Sequence, residues 1–266
     1  MDGAVHPSCS ACGEAPVSPE PYYYDWRGRR FWIYRCAHCT HQFVYPPVTS
    51  DDQRLIYSDT YFSKEGDWVC GIFQSGYTEA EQQLKEEAHT ILDMLPVTSG
   101  RLLDVGCAGG VFLNEARARG FDVAGLELNS TMAAYAATTF RLEVLNSRIE
   151  DVAVEYWDQQ FDVVTLLDCL EHIPEPLAAM RSIARWLRPG GVVFIRGPRG
   201  NSRLARLKEA IRRVLRVRKQ LPGYPLDANM FNNQSLETML TRSGFQQAVW
   251  LEQTPTFANL WARRSV

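Results

Sequence analysis

Two groups of residues have the types and spacing to do chemistry. The first is Asp104-Val105-Gly106-Cys107-Ala108-Gly109-Gly110, an acid leading into a glycine-rich turn, with a second acid, Glu127, 23 residues further on. Glycines in such a turn let a ligand approach the backbone closely. A dinucleotide turn reads G-x-G-x-x-G, which seats a pyrophosphate on the following helix N-terminus. Here the pattern is Gly106-x-Ala108-x-x-Val111, so the second and third glycines are missing. Asp104 would also repel a pyrophosphate. A carboxylate at that point suits a ligand with sulfonium and ammonium groups, and charge therefore favours S-adenosylmethionine (SAM) over a dinucleotide. Glu127, at the tip of the second strand, is placed to accept from both ribose hydroxyls. Ile149 and Glu150 follow the third strand, where an apolar residue packs on adenine and an acid accepts from its amino group. Asp168 ends the fourth strand and faces the same crevice. The expected SAM contour is Asp104, Gly106, Cys107, Ala108, Gly110, Glu127, Leu128, Ile149, Glu150 and Asp168.

The second group is Cys9-x-x-Cys12 and Cys36-x-x-Cys39, two knuckles separated by 23 residues. Four thiolates from two knuckles close a tetrahedral Zn²⁺ shell. A closed shell leaves no open position, so the metal is structural rather than catalytic. The alternative is free cysteines in a reducing cell. Tyr22–Arg35 between the knuckles alternates Phe31, Ile33 and Tyr34 in the manner of a hairpin. His38 and His41 are read as surface residues, either of which stands close enough in sequence to replace a cysteine. Cys107 and Cys169 read as small pocket or core residues, and Cys70 has no evident role.

These groups must be carried by a chain of 266 residues, 45% hydrophobic and 22% charged, the composition of a soluble globular protein with material for a full core. Residues 1–47 form a polar, Cys-, Pro- and Tyr-rich head, and 48–77 an aromatic-rich connector. Helical spacing of Leu84, Ala88, Ile91, Leu92 and Leu95 predicts a helix over Glu79–Leu95. Blocks then alternate: strand Arg101–Val105, helix Val111–Arg119 stopped by Gly120, strand Asp122–Leu128, a helix capped by Ser130, strand Leu142–Leu145, strand Phe161–Leu167 and helix Pro176–Leu187. A turn at Arg188–Gly191 leads to strand Val192–Arg196. Helix Ser235–Ser243 and strands Phe245–Leu251 and Phe257–Arg263 close the pattern. Alternation of this kind predicts an α/β fold with a mostly parallel sheet covered on both faces.

Taken in order, these segments resemble the class I SAM-dependent methyltransferases. The resemblance is carried by Leu103–Cys107, Gly125-Leu126-Glu127, Phe161–Val164, Leu170–Pro176, Leu187–Gly191 and Ser243-Gly244-Phe245. It implies a Rossmann-like seven-stranded sheet of order 3-2-1-4-5-7-6 with strand 7 antiparallel, over residues 78–266. Ala108 departs from the glycine usual in the family. The head, followed by Tyr45-Pro46-Pro47 and a Tyr-rich stretch, resembles the zinc-ribbon-like modules ahead of certain sugar C-methyltransferases and surface-polysaccharide or natural-product enzymes. In this family the acceptor site opens just past strand four, which makes His172 the candidate catalytic base. Its alternatives are a helix cap and a packing contact. Asp168-x-x-Glu171-His172 also resembles a carboxylate-carboxylate-histidine cluster that binds a divalent cation in some quinone-type and RNA-end methyltransferases.

The expected function is transfer of a methyl group from SAM to a small-molecule or glycan-linked acceptor, with oxygen the first target atom and carbon the second. Two other classes stand beside it: an RNA or protein methyltransferase docking a macromolecule through the zinc-ribbon-like head and the basic helix, and a non-catalytic SAM-binding scaffold. Net charge is −3 overall, yet residues 199–220 carry +8 and leave −11 for the rest. That basic segment falls in an expected lid insertion at about 199–230. It reads as a solvated lid helix, as a contact for an anionic or peripheral membrane surface, or as a nucleic-acid contact. The absence of aromatics among its bases weighs against nucleic acid. No apolar run reaches the length that spans a bilayer and no secretory signal opens the chain, so the cytoplasm is the expected location.

Overall fold

The computed structural model describes residues 7–58, 79–198, 218–253 and 257–265. Most of the basic segment (199–217), most of the aromatic connector (59–77) and Cys70 lie outside them. In the head, β1 (Val17–Trp26) and β2 (Arg29–Cys36) form the expected hairpin around Arg27-Gly28. Strand β3 (Gln42–Tyr45) pairs with β2, and helix α1 (Ser50–Ile56) follows. Thr49 caps α1 through a reciprocal box with Asp52.

The periodic blocks fold as α2 (Glu79–Met94), β4 (Gly100–Val105), α3 (Val111–Ala118), β5 (Phe121–Glu127), α4 (Ser130–Thr139), β6 (Glu143–Asn146), β7 (Phe161–Leu167), α5 (Pro176–Trp186) and β8 (Leu187–Pro198). Two differences from expectation have local causes. Asn129, not Ser130, caps α4, because its side chain accepts from Met132 N at 2.9 Å while its own N–H donates to Glu127 Oε1. The turn at Arg188–Gly191 does not separate helix from strand. It is absorbed inside β8, where the register against β7 shifts between Phe161↔Leu187 and Val163↔Val192.

Beyond the basic segment come β9 (Lys219–Gln220), β10 (Asn229–Met230), α6 (Asn233–Arg242), β11 (Phe245–Gln253) and β12 (Phe257–Arg264). The large sheet runs β11-β12-β8-β7-β4-β5-β6. Counted within the sheet this is the order 3-2-1-4-5-7-6, with β12 antiparallel to both neighbours. Two-residue β9 and β10 do not join it. They add to opposite edges of the head sheet, whose order is β10-β3-β2-β1-β9.

Strand residues alternate between two cores. Leu102, Val163 and Phe194 face α2 and α3, packing on Ala88, Ile91 and Leu113. Leu103, Val164 and Ile195 face the other way, onto Met180 and Ile183 of α5 and Met239 of α6. That second core also contains Cys9, Cys12, Cys36 and Cys39, so the head packs on this face of the sheet. Chain order reverses between β4 and β7, which opens a crevice at the carboxyl ends of the strands. Among the described residues no helix is long and apolar enough to cross a membrane.

Candidate active site

A cavity of about 540 Å³ fills that crevice. It is lined by every residue of the expected SAM contour and by His172. The glycine turn is hung on β5: Gly106 N and Cys107 N both donate to Leu126 O, at 2.8 and 3.2 Å. Glu127 fixes the turn from below, its Oε2 accepting from Ala108 N at 2.8 Å and its Oε1 from Asn129 N at 2.7 Å. With Leu128 N–H as a third backbone donor, the carboxylate still keeps an acceptor position. Gly110 has φ +80°, and a Cβ there would meet Leu142 Cδ1 at 2.6 Å and Ala136 Cβ at 2.9 Å. Ala108 occupies the left-handed region at φ 46°. A non-glycine residue is held there at a cost of about 1 kcal/mol.

Asp104, at the end of β4, is buried and accepts from Thr165 Oγ1 at 2.6 Å. Burial pushes its carboxyl up to about 7, the Thr165 hydroxyl opposes this, and the charge on Glu127 adds to it. Burial also raises Glu127, against the backbone N–H groups of Asn129, Ala108 and Leu128. Ile149 lies buried in the 3-10 turn Ile149–Asp151. Glu150 Oε2 is 3.3 Å from Arg148 Nη2, while its buried Oε1 has no hydrogen-bond partner among the described residues.

Asp168 sits at φ 50° just past β7, its N–H donating to Arg196 O at 2.9 Å. Its Oδ2 lies 3.4 Å from Arg196 Nε, and Arg196 Nη1 lies 3.3 Å from Glu87 Oε2. Glu171 is nearly inaccessible, and burial holds its carboxyl up at about 8, with Asp168 and Asp227 adding to the effect. His172 Nδ1 is 3.2 Å from Leu226 O and 3.4 Å from Asp227 Oδ1. A carbonyl only accepts, so Nδ1 carries the proton and Nε2 is left as the acceptor. Burial lowers the imidazole pKa, against Asp227 and the Leu226 carbonyl. Nε2 stands 3.9 Å from Glu171 Oε1, too far for a direct hydrogen bond.

The carboxylate-carboxylate-histidine cluster that Asp168, Glu171 and His172 resemble in sequence is not gathered among the described residues. Among the described residues only the four cysteines bring three or more metal-binding atoms within 4.8 Å of one another. Asp168 is turned onto the Arg196 guanidinium instead of toward Glu171 and His172. The cysteine sulfurs are buried, with Cys9 and Cys39 3.6 Å apart and Cys12 and Cys36 3.7 Å apart. Four sulfurs at about 2.3 Å from a central ion have edges of about 3.8 Å, so the spacing fits a tetrahedral thiolate shell. His38 is exposed as expected. His41 is not a surface residue. It is fully buried between Phe43 and Phe231, its Nε2 bonded to Asn229 Oδ1 at 2.9 Å, and burial holds it neutral with a pKa of about 4.

Several lining residues gave no signal in the sequence. Gln53 and Tyr57 come from α1 and its end, Glu87 from α2, and Asp227 from the stretch before β10. Arg196 and Thr165 were detectable as lone polar residues at the end of, or inside, apolar strands.

A family model described as "Methyltransferase domain" matches residues 78–248, more than half of the chain. The chain is 40% identical over 99 residues to the ubiquinone biosynthesis O-methyltransferase of Aliivibrio fischeri (strain MJ11), covering 35% of this chain and 42% of that protein. It thus spans about two fifths of the length of the curated relatives it matches. Among solved structures, magnesium protoporphyrin IX methyltransferase ChlM from Synechocystis PCC 6803 with bound SAH aligns with a TM-score of 0.55 at 17% identity, over 80% of this chain and 100% of that one. The CurJ carbon methyltransferase aligns with a TM-score of 0.52 at 14% identity, over 80% and 61%. The structural matches share the fold, and the family model reaches from α2 into β11; the chain belongs to the methyltransferase domain family.

Proposed function

We propose that this protein transfers a methyl group from SAM to an oxygen of a small-molecule or glycan-linked acceptor, with His172 as general base. The observation that carries the reading is one cavity in which Asp104 and Glu127 stand at the ends of adjacent strands and His172 presents an unprotonated Nε2. Asp104 would hold the cationic methionine end and Glu127 the ribose hydroxyls. Ile149 would pack on adenine, and Glu150 Oε1, buried and without a partner among the described residues, would accept from its amino group. Bound SAM supplies an electrophilic methyl group. His172 contributes by accepting the proton of the acceptor hydroxyl. The O-methyltransferase named among the relatives supports oxygen as the target. Carbon is the second reading, supported by the carbon methyltransferase among the fold neighbours. The four cysteines are proposed to hold one structural Zn²⁺, on the fit of their sulfur spacing.

Calorimetry with SAM and S-adenosylhomocysteine (SAH) tests the donor site. Asp104→Ala and Glu127→Ala are each expected to weaken binding by about 2–3 kcal/mol, roughly 30- to 150-fold. Wild-type affinity in both variants would remove the assignment.

A further inference from the structure

The loop bearing His172 and the cysteine shell meet at one side chain. Asn229, in β10, is 1% exposed. Its Oδ1 accepts from Ser10 Oγ at 2.8 Å and from His41 Nε2 at 2.9 Å, and its Nδ2 donates to Ile173 O at 2.6 Å. Ser10 lies inside the first cysteine knuckle, and His41 lies two residues past the second. Ile173 is the residue after His172. Three residues before Asn229, Leu226 offers the carbonyl that orients the His172 ring. The stretch between them is tied to the head by Val44 N, which donates to Ala228 O at 2.9 Å. The knuckle also touches α5 directly, Leu177 N donating to Ser10 O.

We propose that Asn229 is a positioning residue for His172, and that through it the cysteine shell sets the tautomer of the base. One amide clamps the backbone just after His172 and the strand that continues from the Leu226 carbonyl. Nδ1 faces two acceptors, Leu226 O at 3.2 Å and Asp227 Oδ1 at 3.4 Å, and both sit on the stretch that Asn229 anchors. If that stretch or the backbone after His172 shifts, both contacts lengthen together, and the proton is free to move to Nε2, the nitrogen that must stay bare to act as a base. A hydrogen bond near 3.2 Å weakens steeply with further displacement or misalignment, so a small movement of β10 is enough. The head is then part of the acceptor site rather than a separate docking module. This inference rests on the reading of His172 as the proton acceptor, but its test uses neither turnover nor an acceptor.

The tautomer of each neutral histidine is readable from the ring ¹⁵N–¹H couplings of ¹⁵N-labelled protein, and the chain has five histidines to assign. In the SAH-bound wild type, His172 is expected as a single Nδ1–H tautomer. In Asn229→Ala it becomes a mixture of both forms with SAH affinity retained, and stripping the metal with a chelator gives the same change. Ser10→Ala, which removes one of the two donors to Oδ1, gives a smaller shift and serves if Asn229→Ala does not fold. Asn229 acting only as structural support would lower the melting temperature and leave the His172 couplings at their wild-type values. That result, in Asn229→Ala or in Ser10→Ala together with the metal-stripped protein, overturns the proposal. Loss of the donor-site reading would appear separately, as unchanged SAM affinity in Asp104→Ala.

Discussion

Asp104 accepts one hydrogen bond from Thr165, and a hydroxyl offsets only part of what burial costs a carboxylate. With its carboxyl raised from 3.8 to about 7, the fold favours the protonated form. The stability this group contributes is full below 3.8 and is lost as pH rises to about 7. A cationic ligand acts in the opposite sense, because it favours the ionised form. SAM affinity is therefore expected to rise with pH until about 7 and then level off, with proton uptake by buffer on binding below that point. Calorimetry in buffers of different ionisation enthalpy reads both. Thr165→Val removes the hydroxyl that holds the carboxyl down, and is expected to move the midpoint up by about 1–2 pH units. A pH-independent affinity would mean that Asp104 does not face the ligand's charge. Asp104 and Glu127 were legible in the sequence because each is an acid at the end of an apolar strand. Asn229 and the Leu226 carbonyl were not, because each reaches the site from a later segment with no spacing that repeats. His41 was misread for a related reason: its neighbours Phe231 and Asn229 lie almost 190 residues away.

At the scale of elements, the glycine turn and the start of α4 are the tightest joints. Alanine at Gly110 would need a left-handed backbone and would place its Cβ against Leu142 and Ala136 together. Gly110→Ala is expected to destabilise the protein by about 2–4 kcal/mol in urea unfolding, more than strain alone would give. A loss under about 1 kcal/mol would show that α4 can yield. At the α4 N-terminus, Asn129→Ala should cost about 1 kcal/mol and Ser130→Ala close to nothing. The sequence offers two competent capping residues side by side there, and chemistry alone does not choose between them. Glu127 chooses, by holding the Asn129 backbone N–H at 2.7 Å. Strands β4, β5 and β7 were legible because a parallel strand buried on both faces writes a continuous apolar run. Strands β3, β9 and β10 span four, two and two residues, too short for any period to show.

On the scale of the molecule, the head and the sheet share a hydrophobic core. Cys9, Cys12, Cys36 and Cys39 belong to the same buried cluster as Leu103, Leu166, Leu170 and Ile195. Arg242 of α6 binds Cys12 O at 2.8 Å, and Asn232 binds Thr40 O at 3.2 Å. One unfolding transition is therefore expected, coincident by tryptophan fluorescence and by circular dichroism, in place of separate steps for head and core. Elemental analysis should return about one zinc per chain. Removing it should lower the midpoint of the whole transition by on the order of 10 °C. A core that melts unchanged after the metal is gone would separate the two parts.

The pairing of β1 with β9 and of β3 with β10 also orders events on the ribosome. Residues 9–45 hold all four cysteines and three strands of the head, while the two strands that close its edges are encoded at 219–220 and 229–230. At roughly 5–20 residues per second, about 10–40 seconds of translation separate them. Through that interval the nascent head carries its thiols and two open strand edges. The four thiols that could hold a metal are therefore complete long before the sheet, and Leu226 and Asn229 join them only when the last fifth of the chain arrives.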